Sequence, residues 1–306
     1  MPDFRLMSRV GPAAGGDRFG VYARLALVPV IWGGTFVAGR LLSLEVPPAV
    51  GALLRFVVAS AALLAACLLM ERRLPVPTRR QFMAALALGA TGVLAYNLLF
   101  LGALVLLPAS RTSLIVALNP AITIAAAALV FGERLSPRRW LGVAVALAGV
   151  WIVISRGELS GLLGGGVGAG ELMMFGAICA WAAYTLIGRA MVAGLSPLAA
   201  TTWATLLGTA MLALVAAPQL GRVDWHAVSP GAALAVLYLG LLGTAVAFVW
   251  YLRAVQVLGP ARTVIFNNLV PVFGAAFGVL LLGEPLTASM LVGGAIALAG
   301  VMLVTR

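Results

Sequence analysis

The chain has 306 residues, 63% of them apolar and only 9% charged, with a formal net charge of +11. Soluble domains carry about 25% charged residues, so water is excluded as the solvent for most of this surface. Nucleic acid is excluded as the reason for the positive charge, because all 20 basic residues are Arg and they gather in one set of connections between apolar stretches.

Residues 1–24 are polar and Gly-rich and read as a cytoplasmic tail, with no Ala-x-Ala-like cleavage site after a short apolar core. Ten apolar stretches follow, at about 25–44, 49–70, 81–103, 108–131, 138–155, 169–190, 197–217, 230–252, 260–282 and 287–304. A helix crosses a bilayer with about 20 such residues. Backbone groups in hydrocarbon must pair within their own segment, which makes these stretches helices 1–10 of an all-α polytopic membrane protein. The alternating strands of a membrane barrel are not seen.

Taken in order, helix 1 places Trp32, Thr35 and Gly39 on one face, and helix 2 carries the charge Arg55 about 10 Å from its start. Arg55 has three open roles: to hold a substrate carboxylate, to reach the interface, or to tie down carbonyls. Helix 3 has Tyr96 and Asn97 at its middle, and helix 4 has Thr112 and Asn119 ahead of Pro120. Gly142 and Gly149 form a small-residue face on helix 5 that admits a close neighbour. The run at 156–168 is a Gly-rich connector. Helix 6 repeats the pattern of helix 1 with Trp181, Tyr184 and Gly188. Trp250 and Tyr251, near the end of helix 8, read as interfacial belt residues. Helix 9 has Thr263, Asn267 and Asn268 ahead of Pro271, and helix 10 has the small face Gly293 and Gly300.

Two of these segments are the same device. "IWGGTFVAGR" (31–40) and "AWAAYTLIGR" (180–189) share Trp, six residues, then Gly-Arg, at an offset of 149. Farther on the offset becomes 151: Arg111-Thr112, Pro120 and Gly132-Glu133 fall on Arg262-Thr263, Pro271 and Gly283-Glu284, and "ALAGV" recurs at 146–150 and 297–301. The chain is thus a duplication, repeat 1 over 25–155 and repeat 2 over 169–306. Five helices per repeat is an odd number, so the two repeats are inverted, an arrangement that suits alternating access. Each mid-helix Pro leaves a carbonyl four residues back without its N–H, at Val116 and Asn267, as a polar contact for a substrate.

The two segments "FGERLSPRRWLGVAVALAGVWIV" and "LGEPLTASMLVGGAIALAGVMLV", inside ten helices of inverted halves, resemble the drug/metabolite transporter superfamily, and the repeat is similar to its EamA unit. The resemblance implies a secondary transporter of the bacterial inner membrane that exports small metabolites, amino acids among them. The expected substrate-binding set is Trp32, Thr35, Arg55, Tyr96, Asn97, Thr112, Asn119, Trp181, Tyr184, Thr263, Asn267 and Asn268. Proton-coupled export of hydrophobic or cationic drugs is one alternative, and a pore or scaffold is another.

No carboxylate is expected at mid-membrane, which favours downhill or exchange transport; Glu171, at the start of helix 6, is the one remote coupling candidate. A chain without Lys has no P-loop, the single His226 falls in a loop, and no hydrolase motif occurs, so neither an enzyme nor a cofactor is expected. No metal site is expected either. The expected partners are a small-molecule substrate and the lipid bilayer, with no nucleic acid; the oligomeric state is left open, a monomer being compatible with the sequence. With the N-terminus in the cytoplasm, fifteen Arg fall inside and only Arg40, Arg111, Arg156 and Arg222 outside, with Arg55 within helix 2. That asymmetry puts both termini in the cytoplasm. Reporter fusions after Arg73 and Arg138 should therefore read cytoplasmic and fusions within 218–229 external; an external reading at Arg73 inverts the scheme.

Overall fold

The computed structural model describes residues 15–132, 134–156, 167–191 and 194–305. Among the described residues ten helices are long and apolar enough to span a membrane: Arg18–Glu45, Pro48–Glu71, Arg79–Leu106, Ala109–Phe131, Pro137–Ile154, Ala169–Arg189, Pro197–Leu220, Pro230–Leu258, Arg262–Leu282 and Ala288–Thr305. These are helices 1–10 of the sequence. Helix 1 starts well before residue 25, and helices 3 and 8 run past the ends that hydropathy set.

The ends follow local chemistry. Pro48, Pro137, Pro197 and Pro230 open their helices, where a missing N–H leaves no ladder bond unmade. Ser196 and Ser229 accept from the N–H groups of Ala199 and Ala232 at 3.0 and 3.1 Å. Gly132 and Gly283 close helices 4 and 9 at φ +66°, a backbone that a side chain would strain.

Inside the bilayer the helices depart from the regular α ladder in matched places. Helix 4 breaks between Ala109–Val116 and Asn119–Phe131, and helix 9 between Pro260–Asn267 and Val270–Leu282. Tight turns bridge the breaks: Ala117 N to Leu114 O (3.2 Å) and Leu118 N to Ile115 O (3.1 Å), and at their repeat mates Asn268 N to Ile265 O (3.2 Å) and Leu269 N to Phe266 O (3.0 Å). Helices 3 and 8 contain π-helical stretches at Gly89–Ala95 and Tyr238–Val246. The breaks follow from Pro120 and Pro271; no residue in the π stretches announces them.

The duplication is visible as a pseudo-two-fold axis. Ser60 and Thr209, which the 149 offset superposes, hydrogen-bond each other at 2.8 Å. A methyl added at Gly89 would stand 2.8 Å from the carbonyl oxygen of Ala204, and one added at Gly240 would stand 2.7 Å from that of Arg55; the two contacts are mates. Helices 5 and 10 pack back to back: side chains at Gly142 or Gly149 would run into the backbone of helix 10, and side chains at Gly293 or Gly300 into that of helix 5. Gly300→Val should accordingly destabilise the protein by about 1–3 kcal/mol, the usual range for overpacking, read as a lower melting midpoint in detergent. Gly221→Ala, with nothing within 4 Å of the new methyl, should leave the midpoint unchanged.

Candidate functional site

Helices 1, 3, 6 and 8 bring aromatic rings together between the repeats. Trp32 lies 5.8 Å from Phe248 and 5.4 Å from Tyr251 between ring centroids. Trp181 lies 6.4 Å from Phe248, 5.3 Å from Tyr96 and 5.3 Å from Tyr184. Tyr96 stacks on Phe100 at 5.6 Å, and Phe100 meets Phe36 edge-on at 5.3 Å. The chain of contacts is continuous from Phe36 to Tyr251. Trp32, Tyr96, Trp181, Tyr184, Phe248 and Tyr251 are all only half-buried, so ring surface stays uncovered by protein.

Four expected residues, Trp32, Tyr96, Trp181 and Tyr184, thus meet in one cluster. Asn267 joins them: its Nδ2 donates to the Tyr251 hydroxyl at 3.4 Å, while its Oδ1 is buried without a partner. Tyr251 corrects the sequence reading, which set it aside as a belt residue. Helix 8 extends to Leu258, so Tyr251 lies about two turns inside its end, where its ring meets Trp32. Phe248 escaped notice for a plainer reason: its repeat mate is the polar Asn97, and a lone Phe in an apolar helix carries no signal.

Arg55 is buried, with 7% exposure, and does not reach the interface. Its Nη1 donates to Asn97 Oδ1 at 3.0 Å and its Nη2 to Thr244 Oγ1 at 3.1 Å. Both acceptors are held by the π stretches. Asn97 Nδ2 donates to Gly92 O (3.1 Å) and Val93 O (2.9 Å), and the Thr244 hydroxyl donates to Leu239 O, five residues back, at 2.9 Å. A π turn releases carbonyls from the regular ladder, and here side chains take them up. Arg55 therefore ties helix 2 to the irregular parts of helices 3 and 8. The Trp32 Nε1 donates to Gly243 O in the same stretch of helix 8 at 3.0 Å, and Thr35 Oγ1 donates to Trp32 O at 2.5 Å. The ring of Trp32 is thus fixed by the backbone that Thr244 and Arg55 brace.

The remaining expected residues lie elsewhere. Thr112 and Thr263 are fully buried, and each hydroxyl donates at 2.8 Å to the carbonyl four residues back in its own helix. Asn119 is half-buried with Oδ1 unpartnered. Asn268 lines an apolar groove with Leu269, Val272, Leu298 and Met302. Glu171, expected near the start of helix 6, is buried in an ion pair: its Oε1 lies 2.9 Å from Arg111 Nη2. No group of three or more His, Cys, Asp or Glu among the described residues could hold a metal ion.

Removing one partner of the Arg55 network leaves the other unpaired in the bilayer interior, at about 1–3 kcal/mol. Arg55→Met and Thr244→Val should each lower the detergent melting midpoint. The double variant should lose less than the sum of the two, with a coupling of about 0.5–3 kcal/mol. Strict additivity would mean that the bond between them carries no weight.

Comparison with known proteins places this geometry in context. The profile of the EamA-like transporter family matches residues 21–155 and again 168–306. The chain is 24% identical over 282 residues to the uncharacterized transporter YyaM of Bacillus subtilis, covering 92% of both chains. It is 31% identical over 282 residues to an uncharacterized transporter of Archaeoglobus fulgidus, covering 92% of this chain and 96% of the other. It is 33% identical over 285 residues to a protein of Streptantibioticus cattleyicolor named "Probable terminal-alkyne amino-acid exporter", covering 92% of both. A solved crystal structure matches the fold with a TM-score of 0.65 at 20% identity, over 94% of this chain and 97% of the other.

Proposed function

Because the chain belongs to the EamA-like transporter family, we propose that it is a secondary carrier that exports a small amphipathic metabolite, an amino acid or close analogue, by alternating access. The observation that carries this reading is the aromatic cluster of Trp32, Tyr96, Trp181, Tyr184, Phe248 and Tyr251, half-covered and drawn from both repeats, with the amide of Asn267 at its edge. Aromatic faces accept an apolar side chain or a cation. The unpartnered Oδ1 of Asn267 offers an acceptor to an ammonium. The 33% identical relative named as an amino-acid exporter supports the substrate class, and the inverted repeats support a carrier over a pore.

Transport runs downhill or by exchange in this reading. The buried carboxylate Glu171 already has a cationic partner in Arg111, and among the described residues no carboxylate is hydrogen-bonded to the aromatic cluster. The orientation, with both termini in the cytoplasm and the membrane a bacterial inner membrane, rests on the Arg asymmetry.

Amino-acid flux by purified protein in liposomes tests the site. Trp181→Ala removes a stacking wall and Asn267→Ala a positioning bond, each worth about 1–3 kcal/mol or roughly ten- to a hundredfold in apparent affinity. Flux should persist when a protonophore is added. Two folded variants that carry every amino acid at the wild-type rate would place the site elsewhere, and accumulation that collapses with the protonophore would establish proton coupling.

A further inference from the structure

The two ends of the pseudo-symmetric bundle are not closed alike. At the end marked by Glu284, the first segment of helix 4 packs against the second segment of helix 9. Among the described residues their repeat mates, the second segment of helix 4 and the first of helix 9, have no comparable contact. Two carboxylates hold the closed end. Glu284 accepts from the N–H of Ala109 with Oε1 and of Ser110 with Oε2, both at 2.7 Å, so one carboxylate caps the positive N-terminus of helix 4. One residue on, Arg111 pairs with Glu171 at 2.9 Å and donates to Ile154 O at 2.5 Å; Glu171 also accepts from the Gly168 N–H at 3.0 Å. Helices 4, 5, 6 and 9 are thereby joined at one end. Ser113 adds a bond from its hydroxyl to Pro271 O at 3.3 Å.

Close approach makes these contacts possible. A methyl at Gly278 would stand 2.6 Å from Glu284 Oε2 and 2.8 Å from Ser110 N; one at Gly274 would stand 2.5 Å from Ser113 Cβ. Only glycine fits at either position.

The repeat offset of 151 shows what the opposite end has for the same closure. Glu284 maps to Glu133, which lies outside the described residues, so the acid is kept in the sequence. Its targets are not. Ala109 maps to Pro260, which has no N–H, so one of two donors is gone. Gly278 and Gly274 map to Ala127 and Thr123, which carry the side chains that the closed end has no room for. Ser113 maps to Val264, without a hydroxyl. At the offset of 149 Glu171 maps to Tyr22, so Arg262, the mate of Arg111, has no acid at that place.

We propose that these differences are a built-in bias: the carrier rests closed at the Glu284 end and open at the other, and reaches the opposite state only against the loss of both carboxylate contacts. This rests on the carrier reading above. In the orientation set by the Arg distribution, the resting state opens to the cytoplasm and loads there.

Thiol labelling tests this without any substrate. In a background of Cys67→Ser and Cys179→Ser, reporter cysteines are placed one at a time at the mates Ser113→Cys and Val264→Cys, and reacted with a small charged thiol reagent in detergent. Val264→Cys should react at least about tenfold faster. Glu284→Gln with Glu171→Gln should raise the Ser113→Cys rate at least about tenfold and slow Val264→Cys, since each change weakens a charge-assisted contact. Loss of the Glu171 carboxylate leaves Arg111 unpaired and can impair folding, so a second variant leaves both contacts intact. Pro260→Ala with Ala127→Gly restores a donor and space at the opposite end, and should likewise raise labelling at Ser113→Cys. Equal rates at the two mates, or rates that neither variant moves, would overturn the bias. Asymmetric labelling without amino-acid flux would instead leave the bias standing and overturn the transport reading.

Discussion

A backbone carbonyl released inside hydrocarbon has to find a donor, and the site of this protein is built from that requirement. Regular helices meet it within themselves. This chain departs from regularity in four of its ten helices, at the breaks in helices 4 and 9 and the π stretches in helices 3 and 8. In the π stretches the freed groups are taken up by nearby side chains. The breaks close with tight turns, and the π stretches recruit Asn97, Thr244 and the Trp32 indole. The polar side chains deep in the bundle are therefore first a repair of the backbone and only then a binding surface. Arg55 is one step further out. Its guanidinium lies 5.0 Å over its own neighbour Phe56, and it orients the two acceptors that hold the irregular stretches in place.

The same requirement explains which expected site residues have no free polar group. Thr112 and Thr263 looked like substrate contacts because they are polar and deep. Their hydroxyls fold back on carbonyls four residues earlier, the ordinary way to bury a threonine in a helix. Asn267 differs because its amide reaches across to Tyr251 on helix 8, leaving an acceptor unpartnered. Depth in the membrane does not separate structural from functional polar residues; the destination of each hydrogen bond does.

The fold was legible from the sequence because its signals are redundant. Ten apolar stretches, the Arg asymmetry and the matched Trp, Gly-Arg, Pro and Gly-Glu pairs each constrain the same architecture, and an error in one is corrected by another. Helix breaks were legible because proline states them. The π stretches were not, since Gly89–Ala95 and Tyr238–Val246 contain nothing that distinguishes them from α-helix. The partners of Asn97, Thr244 and the Trp32 indole follow from those stretches. Tyr251 was misplaced because a belt residue and a lining residue differ by the length of one helix end, the feature that hydropathy defines least well.

Duplicated positions and departed positions carry different information. What both repeats keep is what either end needs to form a bundle: the Gly faces of helices 5 and 10, the prolines of helices 4 and 9, and the glycines at φ +66° that close them. What one repeat changes is where the two ends do different work. Asn97 has Phe248 as its mate in the repeat, so one π stretch is braced by an amide and the other by the Thr244 hydroxyl and the Trp32 indole, with Arg55 bonded to both Asn97 and Thr244. Ala109 faces Pro260, Gly278 faces Ala127 and Glu171 faces Tyr22, and all three differences fall on the same closure. A strictly symmetric carrier would have two ends of equal stability. Substitutions that cluster on one of two equivalent contacts set their free energies apart, and that difference decides which end of a pseudo-symmetric bundle is closed at rest.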